Sequence, residues 1–143
     1  MKRSKALTRL SREHHLALVL ARRALGVGFE DEEAACRFMS QAAETFRREL
    51  EPHFQLEEAA LLPALNSVGE HLLVTRTLTE HEELRRLAKR LKKQDADSVH
   101  RFGELLEAHV RFEERELFAR AESLLTPEAL TTIMEMHEQT TGA

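Results

Sequence analysis

The chain has 143 residues, one domain's worth, with 42% hydrophobic and 32% charged residues but only 5 Gly and 3 Pro. Rich in the helix formers Leu, Ala, Glu and Arg, it reads as an all-α protein and not as a turn-rich β fold. A net charge of −4 leaves no basic footprint for nucleic acid; no apolar run approaches the roughly 18 residues of a membrane span and no signal-peptide pattern opens the chain, so no membrane partner and a cytoplasmic location are expected.

After a short basic tail, Leu7, Leu10, His14, Ala17, Ala21 and Ala24 recur at three-and-four spacing and predict a first helix from about Ala6 to Leu25, closed by Gly26-Val27-Gly28. His14 lies on the apolar stripe and is the better candidate ligand, while His15 beside it points about 100° away and stays the alternative on this helix. Acidic Asp31, Glu32 and Glu33 suit the positive end of a second helix that runs to about Leu65. Cys36, the only cysteine, excludes an internal disulfide and is expected to be a small buried residue. Pro52 falls inside the second helix, where it removes a hydrogen bond to the turn near Arg48 and predicts a kink.

Asn66-Ser67-Val68-Gly69 forms the next turn, and Val74, Thr77, His81, Leu84, Ala88 and Leu91 stripe a third helix from about Glu70 to Lys93. Its basic residues Arg85 to Lys93 are expected on a solvated face. A polar turn, Gln94 to Ser98, precedes a fourth helix from about Val99 to Leu125. Thr126 then caps a short fifth helix with Pro127 at its first position, where His137 is expected at the surface. His71 and His100 lie off the main stripes. The expectation is one domain over residues 1–143, with the bundle at about 6–125 and the terminal helix at about 127–138.

The second and fourth helices carry the same segment. Phe46, Leu50, His53, Glu57 and Leu61 slide without a gap onto Phe102, Leu106, His109, Glu113 and Leu117. Each copy places a His and a Glu one turn apart on its apolar face. The first and third helices match likewise, Glu13-His14 falling on Glu80-His81. Buried imidazoles and carboxylates are costly unless paired or bound to a metal. His14, His53, Glu57, His81, His109 and Glu113 are therefore candidate ligands in a bundle core. Six ligands exceed the three or four of a single zinc ion. A carboxylate has two oxygens and can bridge two metals. The set also differs from the ferritin-like Glu-x-x-His pattern, because none of the eight histidines has a Glu three residues before it.

Leu10-Ser11-Arg12-Glu13-His14-His15, His53-Phe54-Gln55-Leu56-Glu57-Glu58, Glu80-His81-Glu82-Glu83-Leu84 and His109-Val110-Arg111-Phe112-Glu113-Glu114, in this order, resemble the hemerythrin-like HHE cation-binding domain. The resemblance covers about Leu7 to Leu125. It implies an antiparallel up-down-up-down four-helix bundle with a non-haem di-iron centre whose ligands fall on the six residues above. It implies that Glu57 and Glu113 bridge two iron ions, with zinc or manganese as replacements, while Glu58 and Glu114 stay outside the ligand set. Oxygen-carrying members have a further histidine where this chain has Thr77, so the four-His, two-Glu centres of nitric-oxide-responsive and iron-centre-repair relatives are the nearer likeness.

The expected function is binding or reduction of a small diatomic or peroxide ligand by a monomer or homodimer. The competing readings are a non-catalytic store, carrier or sensor of iron or oxygen, and a metal-free structural bundle whose stability ignores chelators.

Overall fold

A computed structural model describes residues 3–140, and these contain helices and turns with no strand. Helix α1 (Lys5–Leu25) starts where the Ser4 side chain accepts from the Leu7 amide, and ends with Arg22 and Arg23 in its last turn. Helix α2 (residues 32–67) starts at Asp31, whose carboxylate accepts from the Ala34 amide at 3.1 Å. A side-chain oxygen at this position satisfies an amide that has no partner inside the helix. Gly69, at φ +90°, turns the chain into α3 (His71–Lys92). That positive φ is open to glycine at no steric cost. Helix α4 (residues 97–124) and α5 (Pro127–Thr140) complete the fold. The expected cap of α5 is present, with the Thr126 hydroxyl accepting from the Ala129 amide at 3.1 Å.

The direction of each helix follows from the order of its apolar residues. One core cluster gathers Ala17 to Ala24, Phe38 to Phe54, Leu84 to Leu91 and Val99 to Val110. A second gathers Ala6 to Leu10, Leu56 to Leu65, Val74 and Phe112 to Leu125. α1 and α3 run from the second cluster to the first, whereas α2 and α4 run from the first to the second. The four alternate in direction, forming the antiparallel bundle with a short C-terminal helix that the sequence predicts. Between the two clusters, every helix contributes a polar residue to one level: His14, His53 with Glu57, His81, and His109 with Glu113. All six are 4% exposed or less.

Three widened, π-helical turns interrupt α2 and α4. The proline expected to kink α2 is accommodated by the first of these, Phe46–Leu50, in which the Glu51 amide bonds the Phe46 carbonyl five residues back. An α-helix bonds four residues back, which would set the Pro52 ring against the carbonyl one turn earlier. The repeat-matched stretch of α4 has Ala108 in place of Pro52 and stays α-helical. The other two, Glu57–Leu61 and Glu113–Leu117, both begin at the matched glutamates, with or without a nearby proline. Single π turns of this kind are frequent at functional sites.

α1 and α4 pack closely because α4 carries Gly103, where a Cβ would stand 2.8 Å from the Ala21 carbonyl oxygen. No helix among the described residues is long and apolar enough to cross a membrane. Cys36, expected to be buried, is exposed on α2.

Candidate metal centre

The six predicted residues converge. His14 and His53 form one pair of imidazoles, ring centroids 5.0 Å apart, and His81 and His109 form another at 4.9 Å. Glu57 and Glu113, both fully buried, lie between the pairs. Each carboxylate divides its oxygens. Glu113 Oε1 is 2.9 Å from His14 Nε2 and 3.8 Å from His53 Nε2. Its Oε2 is 3.0 Å from His109 Nε2 and 3.6 Å from His81 Nε2. Glu57 Oε2 is 3.1 Å from His53 Nε2, and Oε1 is 3.0 Å from His81 Nε2. Two groups of four potential ligands result: His14, His53, Glu57 and Glu113, and Glu57, His81, His109 and Glu113. Within each, the donor atoms lie within 4.8 Å of one another.

His15, the neighbour of His14, is exposed. Helical rotation of about 100° per residue takes it off the buried face. Thr77 is fully buried one turn before His81, and its hydroxyl donates to the Leu73 carbonyl at 2.8 Å. This hydroxyl is occupied within its own helix.

The Nδ1 side of each ring is also engaged, by carboxylates to which sequence spacing assigns no ligand role. The Nδ1–H of His14 donates to Glu114 at 2.6 Å, and those of His53, His81 and His109 donate to Glu13, Glu58 and Glu80 at 2.7 Å. The arrangement follows the repeat, exchanging α1 with α3 and α2 with α4. Glu58 and Glu114, which the family resemblance leaves outside the ligand set, touch the imidazoles directly. A carboxylate on Nδ1 fixes the ring orientation and aims Nε2 at the centre, where its lone pair is freed for a ligand bond once the Nε2 proton leaves. The available signal was the duplication itself, since Glu13 and Glu80 match, as do Glu58 and Glu114.

Charge follows the same plan. Burial alone would lower the imidazoles, but the carboxylates outweigh it, raising His81 to about 10 and His109 to about 9. His14 and His53 are raised for the same reason. Burial would raise Glu113, and the facing imidazoles of His109, His14 and His53 hold it well below the carboxylate range instead. Glu13, Glu58, Glu80 and Glu114 are likewise lowered, burial being outweighed by their imidazole partners.

Two further placements differ from sequence expectation, those of His137 and Arg85, while His71 and His100 lie off the centre as the stripes predict. His137 is buried, 3% exposed, and its Nε2 lies 2.9 Å from Glu13 Oε2. Arg85, expected on a solvated face, is half-buried and reaches Glu58 at 2.9 Å and Glu51 at 2.8 Å. His71 and His100 are exposed and bond Asn66 and the Val27 carbonyl, away from the centre.

The donor set fits a metal. Glu57 Oε1, His81 Nε2, His109 Nε2 and Glu113 Oε2 are buried without a hydrogen bond of acceptable geometry, although they approach one another closely. Buried polar atoms are almost always bonded. Four converging exceptions, all good ligand atoms, mark a place for a cation, and the buried His and Glu cluster is accordingly a metal-binding site in character.

Comparison with curated proteins and with solved structures returns no match. The family model described as hemerythrin HHE cation binding domain matches residues 5–139, nearly the whole chain. On that match, and with a helical bundle that carries a buried His and Glu cluster at its centre, the chain belongs to the hemerythrin HHE cation-binding family.

Proposed function

We propose that the chain holds two iron ions side by side and binds or reduces a small oxidant, such as dioxygen, peroxide or nitric oxide. The observation that carries this reading is the division of the Glu57 and Glu113 oxygens between the two imidazole pairs. His14 and His53 would hold one ion and His81 and His109 the other, with the oxygens of Glu57 and Glu113 available to both. Mixed imidazole and carboxylate donors suit iron, and zinc or manganese can take the same positions. Two nitrogens and two oxygens would be offered to each ion, and Thr77 would add none, because its hydroxyl donates to the Leu73 carbonyl. When bound, iron supplies one-electron chemistry and a direct attachment point for a small molecule.

The chain's own part is to aim donors and restrict water. Phe54 stacks on His81 at 3.9 Å between centroids, and Phe118 on His14 at 5.2 Å. Both phenyl rings are 2% exposed or less. They hold the imidazole planes and present an apolar wall.

Metal analysis of freshly purified protein, followed by stopped-flow spectra during repeated peroxide or nitric oxide additions, tests the reading. Two irons per chain with repeated turnover support an enzyme. Two irons with one stoichiometric change support a carrier or sensor. Absence of bound metal, with stability indifferent to chelator, refutes the proposal.

A further inference from the structure

The two halves of the centre are alike out to the outer carboxylates and unlike beyond them, where each carboxylate meets a cationic side chain or a histidine. In the His81 and His109 half, Glu58 accepts from Arg85 at 2.9 Å and Glu80 from Arg76 at 3.1 Å. Both arginines stand in the interior of α3, and each is pinned a second time. Arg85 makes two bonds of 2.8 Å to Glu51, and the Arg76 guanidinium lies 3.9 Å from the Phe112 ring centroid. In the His14 and His53 half, the partners come from opposite ends of the described chain. Glu114 lies 3.5 Å from Arg3, which precedes α1 and also donates to the Glu114 carbonyl at 2.6 Å, and Glu13 lies 2.9 Å from His137 on α5.

We infer that His14 and His53 hold the more labile of the two metals, and that the docking of Arg3, and of α5 through His137, sets its retention. This rests on the two-metal reading above. An element with few buried side chains opens locally at little free-energy cost, whereas core helices open only near the cost of global unfolding; α5 buries Ile133 and His137, where α3 buries seven residues. α3 is locked by Leu84, Leu87 and Leu91, each 1% exposed or less. The main apolar anchor of α5 is Ile133, with Leu130 and Met134 partly buried beside it. Each opening of α5 withdraws His137 from Glu13, and Glu13 then no longer fixes the orientation of His53. Loss of such an outer partner costs about 10–100-fold in metal affinity. Arg3 and His137 are positioning residues here, acting through Glu114 and Glu13.

The test uses the full chain loaded anaerobically with iron(II). Iron per chain is measured first, and release to an excess of a coloured iron(II) chelator is then followed with time. The wild type should release two irons in two phases of equal amplitude. His137→Ala should quicken the fast phase about ten-fold and leave the slow phase alone. His137→Gln, whose amide can still donate to Glu13, should restore the wild-type rate. Arg76→Ala should quicken the slow phase. Arg3→Ala, which alters a side chain ahead of the first helix, should quicken the fast phase and serves as the readout if His137→Ala does not fold. One phase carrying both irons, a His137→Ala effect on the slow phase, or an unchanged fast phase in Arg3→Ala overturns the inference. Fewer than two irons per wild-type chain overturns instead the two-metal reading on which it stands.

Discussion

Replacing Glu113 by Gln keeps the shape of the side chain and removes its charge and one acceptor oxygen. That carboxylate is fully buried, with four imidazole nitrogens at 2.9, 3.0, 3.6 and 3.8 Å. Its low pKa keeps it ionised opposite imidazoles whose pKa values are raised. Removing one partner from a buried charge pair costs about 3–5 kcal/mol, since the other is left uncompensated. Against a typical domain stability of about 5–15 kcal/mol this is a large fraction. With a urea dependence of about 2 kcal/mol per M, the midpoint of the metal-free protein should fall by about 1.5–2.5 M. In the loaded protein, the remaining amide oxygen can serve only one imidazole pair, and the NH2 group faces the other. Iron per chain should drop from two to one or fewer in Glu113→Gln, and equally in the repeat-matched Glu57→Gln. The assay is metal analysis beside urea denaturation. Unchanged iron per chain in both variants would falsify the bridging assignment.

Glu58→Gln, which helical rotation alone suggests is harmless, should weaken iron binding about 10-fold or more, because the carboxylate holds His81 Nδ1 at 2.7 Å; competition with a chelator measures this, and wild-type affinity would contradict it. In the metal-free protein, His81 and His109 are raised to about 10 and 9. Groups raised on folding stabilise fully below their unfolded pKa of about 6.5 and lose that contribution as pH climbs through the folded values. Urea midpoints of the metal-free protein should therefore fall between pH 7 and pH 10, and a rise over that range would show the imidazoles do not carry this charge. Gly103→Ala should destabilise by about 1–3 kcal/mol through overpacking, because the new methyl meets the Ala21 carbonyl oxygen at 2.8 Å. Iron per folded chain should stay at the wild-type value, which separates a packing fault from a damaged centre.

Helices, and the faces that carry the buried His and Glu residues, were legible in the sequence, since both depend on neighbours three and four residues apart. Rotation favoured His14 over His15 and Glu57 over Glu58, and the exposure of His15 in the packed bundle then removed that alternative. Duplication then told the chain's six central residues from ordinary buried polar pairs. Who meets whom across the bundle is set by how the helices pack. Glu13 adjoins His14 in the chain but serves His53, while His14 is served by Glu114. A rotation of about 100° carries a side chain from its own helix's inner face toward the next helix, and the register between helices selects the atom it finds there. His137 shows the same limit, because its apolar stripe does not reveal that α5 lies beside Glu13. The burial of Arg85 and the exposure of Cys36 were equally out of reach. Periodicity fixes which way a side chain points along one helix, and packing between helices alone fixes what lies opposite.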